Sequence, residues 1–104
     1  MLGNKPKIHF VGVGGIGMSG IAELLIKQGF IISGSDMNRS DITDHLSQIG
    51  AEIHIGHNSD IILTADIVVK SSAVKDNNPE IVKATAKKIP IIRRAEMLSE
   101  IMRM

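Results

Sequence analysis

The feature that most constrains the fold of this chain is a glycine-rich loop near its N-terminus, Gly12-Val13-Gly14-Gly15-Ile16-Gly17. The loop closes a strand-like apolar run, Lys7–Gly12. It also opens a helical pattern, Ile16–Gln28, whose apolar residues recur at helical spacing. A G-x-G-x-x-G sequence between a strand and a helix is the fingerprint of α/β domains that bind the diphosphate of a nucleotide. The loop therefore predicts a phosphate cradle within an α/β fold.

Each glycine of this motif has an expected role. Gly12 permits a tight turn, Gly14 lets the backbone approach a pyrophosphate, and Gly17 allows the helix to pack closely on the strand. The helix start adds unpaired N–H groups and the positive end of the helix dipole. Met18 and Ser19 continue this start, where the Ser19 hydroxyl either contacts phosphate or is an ordinary solvated serine. The alternative for the whole loop is a glycine-rich turn that only joins strand to helix.

Strand-like and helical segments alternate along the rest of the chain, which is typical of βαβ units and a parallel sheet. The further predicted strands are Phe30–Ser35, Ala51–Ile55, Asp66–Lys70 and Ile89–Ile92, and the further helices are Asp41–Ile49 (capped by Ser40), Pro79–Lys87 and Arg94–Met104. We expect one Rossmann-like, three-layer α/β/α domain over residues 1–104, with a parallel five-stranded sheet in the order 3-2-1-4-5. The ligand crevice should lie at the switch point between the first and fourth strands.

Composition argues against several classes of partner. The 104 residues carry a net charge of +1, which gives no general attraction to nucleic acid. They contain two Phe but no Trp or Tyr, so almost no side chain is available to stack on bases, and we expect no nucleic-acid binding. No apolar stretch approaches the roughly 20 residues that span a bilayer, so we expect no membrane association. The chain has no cysteine, and its start, Met1–Lys7, lacks a secretory pattern. We therefore expect a cytoplasmic protein.

Two small or polar segments follow the second and fourth predicted strands. Asp36 follows the second strand, where an acid accepts hydrogen bonds from ribose hydroxyls and repels a 2′-phosphate. It favours NAD-like or uridine ligands over NADP, and the alternative is a turn or capping aspartate. Ser71, Ser72 and Ala73 follow the fourth strand, where they leave room and can contact phosphate or sugar. The alternative for them is a loop with ordinary serines.

The histidines are weaker candidates. His9 lies inside the first strand and is expected to be a packed core residue. His54 and His57 have a spacing that resembles a metal pair, but no third ligand is convincingly placed near them. We therefore predict no metal site and keep His57 as a secondary candidate for ligand contact.

Two arginines end the fifth predicted strand on the crevice side of the sheet. Arg93 and Arg94 could contact an anion there, and Arg94 is kept as the other secondary candidate. The alternative is a surface charge pair with Glu96 or Glu100.

Motifs for catalysis are missing from the sequence. It contains no G-x-x-x-x-G-K-[ST] P-loop, no H-E-x-x-H and no convincing Ser/His/Asp spacing. We therefore predict a binding domain and no catalytic residue.

Several segments occur together in one order. They are Phe10–Gly20, Ser33–Asp36, Gly56-His57, Val69–Val74, Asn78-Pro79-Glu80 and Arg94–Leu98. Together they resemble the N-terminal domain of the Mur ligases of peptidoglycan synthesis, and most of all the UDP-N-acetylmuramate–L-alanine ligases. The resemblance covers nearly the whole chain and is far more specific than the glycine loop alone.

The resemblance implies a domain that binds the UDP part of UDP-N-acetylmuramate. The implied contacts are pyrophosphate with Gly14, Gly15, Ile16 and Gly17, uridine with Asp36, and a crevice wall of Ser71, Ser72 and Ala73. In that family a central domain with a P-loop uses ATP and Mg²⁺ to activate the muramate carboxylate as an acyl phosphate, which L-alanine then attacks. This chain ends before the P-loop, so the resemblance implies a fragment that is inactive alone and binds the sugar nucleotide weakly.

Three other interpretations stay open. A sister family joins a whole tripeptide to the same sugar nucleotide, but its glycine loop differs from the one seen here. The glycine loop and Asp36 suit the NAD-binding half of a dehydrogenase equally well. A nucleotide-sensing regulatory module of an ion channel or transporter would also have this length.

Overall fold

The computed structural model describes residues 5–57 and 60–102, with side chains as far as residue 100. Sequence predictions for residues 1–4, 58–59 and 103–104 lie outside these ranges. In chain order the elements are β1 (Lys7–Val11), α1 (Met18–Lys27), β2 (Ile31–Asp36), α2 (Asp41–Gln48), β3 (Glu52–Ile55), a 3-10 helix (Asp60–Thr64), β4 (Ile67–Lys70), α3 (Pro79–Ala86), β5 (Ile91–Arg93) and α4 (Arg94–Met102).

The five strands form one parallel sheet in the order β3-β2-β1-β4-β5, which confirms the predicted fold class and strand order. The chain moves outward from β1 to β2 and β3, then returns to the other side of β1 with β4. The loops that leave β1 and β4 therefore lie at the switch point of the sheet, where the ligand is expected to bind.

The sheet is covered on both faces, which explains why β1 is an almost continuous apolar run. One core lies between the sheet and helices α1, α2 and α4, and includes Ile8, Phe10, Leu25, Leu46 and Met97. The other lies between the sheet, α3 and the 3-10 helix, and includes Val11, Ile62, Val68, Ile81 and Ala84. The sequence analysis missed the 3-10 helix, whose short apolar run supplies Ile62 to the second core.

Local backbone chemistry sets the helix starts. Helix α1 begins at Met18 and not at the predicted Ile16, because Gly17 is in the left-handed region with φ +82°. The predicted cap Ser40 is confirmed: its Oγ accepts the N–H of Thr43, whose hydroxyl oxygen accepts the N–H of Ser40. Within the described ranges, no helix has the length and apolar character needed to cross a membrane.

The fifth strand differs from its prediction. It spans Ile91–Arg93 instead of Ile89–Ile92. The N–H of Ile89 donates to the carbonyl of Ala84 at 2.9 Å and so closes the end of α3. Pro90 has no N–H for the sheet, although its carbonyl accepts from Val68 at 2.9 Å. Regular pairing therefore starts only at Ile91.

One close approach holds the glycine loop against β2. Val13, the first loop residue after Gly12, is fully buried. A Cβ at Gly34 would lie 2.8 Å from the Cβ of Val13, far inside van der Waals contact. Position 34 therefore requires a glycine, because the side chain of Val13 occupies the space that a side chain at position 34 would need.

We expect Gly34→Ala to lower the free energy of unfolding by about 1–3 kcal/mol, because the added methyl overpacks a buried contact. The matched control is Gly20→Ala in α1, where a Cβ would meet no atom within 4 Å. That variant should be neutral or more stable by about 0.5–1 kcal/mol. Urea unfolding of both variants measures the difference, and equal midpoints would contradict the close packing of Val13.

Candidate functional site

The first half of the glycine loop is occupied by internal hydrogen bonds. The N–H groups of Gly12 and Val13 both donate to the carbonyl of Ser35 at 2.9 Å. The N–H of Gly15 donates to the carbonyl of Gly12 at 3.0 Å, which makes a tight turn at a residue with φ +82°. Gly12 therefore has the turn role that the motif predicts.

The second half of the loop leaves two backbone donors free. Among the described residues, no acceptor meets the N–H of Ile16 or of Gly17. Both precede the first residue of α1, where the helix dipole has its positive end. The side chain of Ile16 is fully exposed, so nothing covers this tip of the loop. Two N–H groups at a helix start form a site suited to an anion.

Asp36 is the last residue of β2 and reaches back to the glycine loop. Its Oδ2 accepts the N–H of Gly14 at 2.9 Å, and its Oδ1 accepts the N–H of Asn38 at 3.2 Å. The alternative of a turn aspartate is therefore observed. Each carboxylate oxygen has two lone pairs, so Asp36 can still accept a hydroxyl. A Cβ at Gly14 would lie 3.0 Å from Oδ2, so this glycine makes room for Asp36 as well as for any ligand.

The loop after β4 lies beside the glycine loop, as the switch-point argument predicts. The N–H of Ser71 donates to the carbonyl of Val11 at 3.3 Å, and a Cβ at Gly12 would lie 3.5 Å from the Ser71 Oγ. That Oγ accepts the N–H of Ala73 at 3.1 Å. Ser72 and Ala73, in the loop that follows β4, are exposed.

Arg94, at the start of α4, places its guanidinium beside Gly17. A Cβ at Gly17 would lie 3.1 Å from the Arg94 Nη1, so the guanidinium rests on the backbone of the loop. Gly17 thus accommodates Arg94 and a left-handed backbone, whereas the sequence analysis gave it a role in packing helix on strand. Within residues 5–57 and 60–102, Arg94 forms no ion pair.

The alternative from the sequence, a surface charge pair, is observed for Arg93 with Glu96. The N–H and the Nε of Arg93 donate to Glu96 Oε1 at 3.0 and 3.3 Å. These bonds, from the backbone and then from the guanidinium, hold the pKa of Glu96 below its ordinary value. Arg93 is therefore engaged at the surface, while Arg94 remains directed at the loop.

Two sequence candidates are placed less favourably. The side chain of Met18 is fully buried in the first core, and its N–H donates to the carbonyl of Gly15 at 3.1 Å. Ser19 lines a groove between α1 and α2, beside Glu23 and His45. The Met18 side chain is therefore not available to a ligand, and Ser19 lines a groove on another part of the surface.

A buried polar network beneath the site was missed by the sequence analysis. Glu80, in the first turn of α3, is fully buried, and its Oε1 accepts bonds from His9 Nε2 at 2.9 Å and from the Ser35 hydroxyl at 2.7 Å. His9 is the packed core histidine that was expected. Ser35 Oγ also lies 3.3 Å from His57 Nδ1. A glutamate inside a helical start was the only sequence signal, and nothing there pointed to His9.

The spacing that resembles a metal pair has another explanation. His54 Nε2 bonds to Glu52 at 2.8 Å, and His57 turns its Nδ1 to Ser35. Across the described part of the chain, no three His, Cys, Asp or Glu side chains come together.

A groove of about 730 Å³ lies away from the glycine loop, between α3 and the edge strand β5. Two ion pairs border it, Lys70 with Asp76 and Arg93 with Glu96. Because each cation of these pairs is neutralised by its carboxylate partner, the groove is less suited to binding an anion than the glycine loop is.

The fold and the loop at its switch point define a Rossmann-like α/β domain of the nucleotide-binding type. A family model described as "Mur ligase family, catalytic domain" matches residues 7–104. The chain belongs to the Mur ligase family.

Individual relatives agree with this assignment. The chain is 57% identical over 104 residues to a UDP-N-acetylmuramate–L-alanine ligase from Geotalea daltonii, covering all of this chain and 23% of that protein. It is similar to the crystal structure of UDP-N-acetylmuramate-alanine ligase from Thermotoga maritima, with TM-score 0.90, 37% identity, and coverage of 95% and 23% of the two chains. A tripeptide-type relative, UDP-N-acetylmuramate:L-alanyl-gamma-D-glutamyl-meso-diaminopimelate ligase from Neisseria meningitides, has TM-score 0.83 and 26% identity, with coverage of 91% and 30%. The chain thus spans about a quarter of the length of the ligases it matches.

We expect Asp36→Ala to release the N–H of Gly14 and to lower the free energy of unfolding by about 1–3 kcal/mol, because a charge-assisted bond is lost. Hydrogen exchange at the Gly14 amide should become faster. The Gly15 amide is the internal control, since Gly12 and not Asp36 holds it. An unchanged exchange rate at Gly14 would show that Asp36 does not hold the loop.

Proposed function

We propose that this chain binds the UDP part of UDP-N-acetylmuramate within a ligase that adds L-alanine to it. The observation that carries the proposal is the pair of free N–H groups at Ile16 and Gly17, next to the guanidinium of Arg94. Two directed donors and one cation match the oxygens and the charge of a pyrophosphate. The ligase names of the relatives supply the substrate class.

The contacts of the proposed complex follow from the loop geometry. The pyrophosphate lies over Gly14, Gly15, Ile16 and Gly17, and Gly12 provides the turn. Asp36 uses its remaining lone pairs to accept a ribose hydroxyl while it holds the loop. Ser71, Ser72 and Ala73 form the opposite wall, and His57 contacts the uridine end. Ser19 contributes the backbone of the helix start, and Met18, whose N–H is held by Gly15, fixes that start in the core.

This chain supplies binding and positioning in the proposed reaction. Its sequence has no P-loop, so no residue here fits ATP or Mg²⁺ in the P-loop manner. We assign ATP, Mg²⁺ and L-alanine to parts of the ligase that correspond to the remaining length of the relatives. No residue of this chain is assigned a catalytic role, and the proposed setting is peptidoglycan synthesis in the cytoplasm, without nucleic acid or membrane.

A NAD-binding role is less well supported. The loop and Asp36 are compatible with NAD, but the relatives that cover the whole chain at above 50% identity are named as ligases. The same reasoning disfavours a regulatory module.

The test is a titration of the ¹⁵N-labelled chain with UDP-N-acetylmuramate, UDP and NADH in separate samples. We expect both uridine nucleotides to shift the amides of Ile16 and Gly17 at lower concentration than NADH. A stronger response to NADH at these amides would overturn the uridine assignment.

Arg94→Ala should weaken the binding of UDP-N-acetylmuramate about tenfold, because one charge-assisted bond to an anion is lost. Arg93→Ala is the matched control: it removes the same charge from the neighbouring residue, which is paired with Glu96. Its effect should be about twofold or less. Equal losses for the two variants, measured by calorimetry, would mean that Arg94 acts only through general charge.

A further inference from the structure

We propose that buried Glu80 is a positioning residue that, through Ser35, fixes the proton of His57 on Nδ1. The ring then presents Nε2 to the ligand as a hydrogen-bond acceptor. The ligand part of this inference rests on the proposed function, whereas the proton position does not. The network joins Glu80 on α3 and Ser35 on β2 to His57, which follows β3.

Glu80 is not needed to begin its own helix. Asn78 Oδ1 already accepts the N–H groups of Glu80 and Ile81 at 2.8 and 3.4 Å. A carboxylate that is fully buried costs more free energy than an apolar side chain of similar size unless donors satisfy it. The donors to Glu80 include His9 and Ser35, and the helix start adds a favourable dipole. The buried position of Glu80 therefore indicates that it orients the side chains that donate to it.

The direction of each hydrogen bond follows from the number of protons. A carboxylate oxygen only accepts, so the short 2.7 Å contact takes the single hydroxyl proton of Ser35 to Glu80. Ser35 Oγ is left with lone pairs alone. The 3.3 Å contact from His57 Nδ1 to this oxygen is therefore a donation by His57. A neutral imidazole with a proton on Nδ1 has its lone pair on Nε2.

The other ring nitrogen of His57, Nε2, is assigned to the uridine end of the proposed site. In the described part of the chain, Nε2 of His57 meets no hydrogen-bond partner. The adjacent Gly56 donates its N–H to the carbonyl of Asp36 at 2.7 Å, which places His57 beside the strand end that carries Asp36. An acceptor at this point selects a hydroxyl or an N–H of the nucleoside, and it does not select a phosphate oxygen.

The proton position is tested in the histidine-labelled chain by long-range ¹H–¹⁵N correlation at a pH where the imidazoles are neutral. His57 should show its proton on Nδ1. His45 and His54 are internal controls, because their Nε2 atoms face Glu23 and Glu52 and should carry the proton. A proton on Nε2 of His57 in the unaltered chain would overturn the proposal.

Variants separate the network from general packing. Ser35→Ala should move the proton of His57 mainly to Nε2. Ser33→Ala is the matched control on the same strand, since Ser33 contacts His9 Nδ1 at 2.7 Å and not His57. Glu80→Gln keeps an accepting oxygen and should retain the Nδ1 proton, whereas Glu80→Leu should lose it. If Glu80→Leu does not fold, the proton position of His57 in Ser35→Ala, in Ser33→Ala and in the unaltered chain still tests the proposal.

Ligand binding gives the second readout. Ser35→Ala should weaken UDP binding about fivefold, the loss of one net hydrogen bond, and Ser33→Ala should not. Equal affinities for the two variants would overturn the positioning role even if the proton lies on Nδ1. An unaltered chain that does not bind UDP would overturn the proposed function and the ligand role of His57 together, while the spectra still decide the proton position.

Discussion

Val13 fills the space of a side chain that Gly34 lacks, and this contact holds the glycine loop against β2. The carbonyl of Ser35 reinforces it by accepting two loop N–H groups. Because Asp36 follows on the same strand, its carboxylate arrives within 2.9 Å of the Gly14 N–H. The first half of the loop is thereby saturated. Only its second half can offer donors to an anion.

The same strand also separates the first apolar core from a polar network on its other face. Alternate residues of β2 face opposite sides, so Ser33 and Ser35 lie on the α3 face while Ile32 lies in the other core. Near β2 that face holds serine hydroxyls, His9 and Glu80, which satisfy one another; every described buried side-chain N or O has a partner. A satisfied network of this kind fixes side-chain geometry more strictly than apolar packing does. It lies directly below the strand ends where the candidate site is built.

Much of this architecture could be predicted from the sequence, because alternation of strand and helix patterns fixes a parallel sheet and its switch point. The same rules brought Asp36 and Ser71 to the glycine loop. The predicted starts of α1 and β5 were wrong, because Gly17 has a left-handed backbone and Pro90 has no N–H for the sheet. The Glu80 network was not predictable, because its members are far apart in sequence and meet only through sheet register and the position of α3. Such contacts leave no local pattern.

In the proposed reaction the pyrophosphate is bound but not chemically changed. Contacts from the loop to it are therefore equal in the ground state and the transition state, and alone they would lower KM without raising kcat. They can accelerate the chemistry only if they hold the distant carboxylate of the sugar in a reactive orientation. That requires a cradle whose own geometry is rigid before the ligand arrives. The first half of the loop, held by Val13 and Asp36, provides this rigidity. Its internal hydrogen bonds reduce the number of donors available to a ligand, but they also fix the positions of the two that remain, the N–H groups of Ile16 and Gly17.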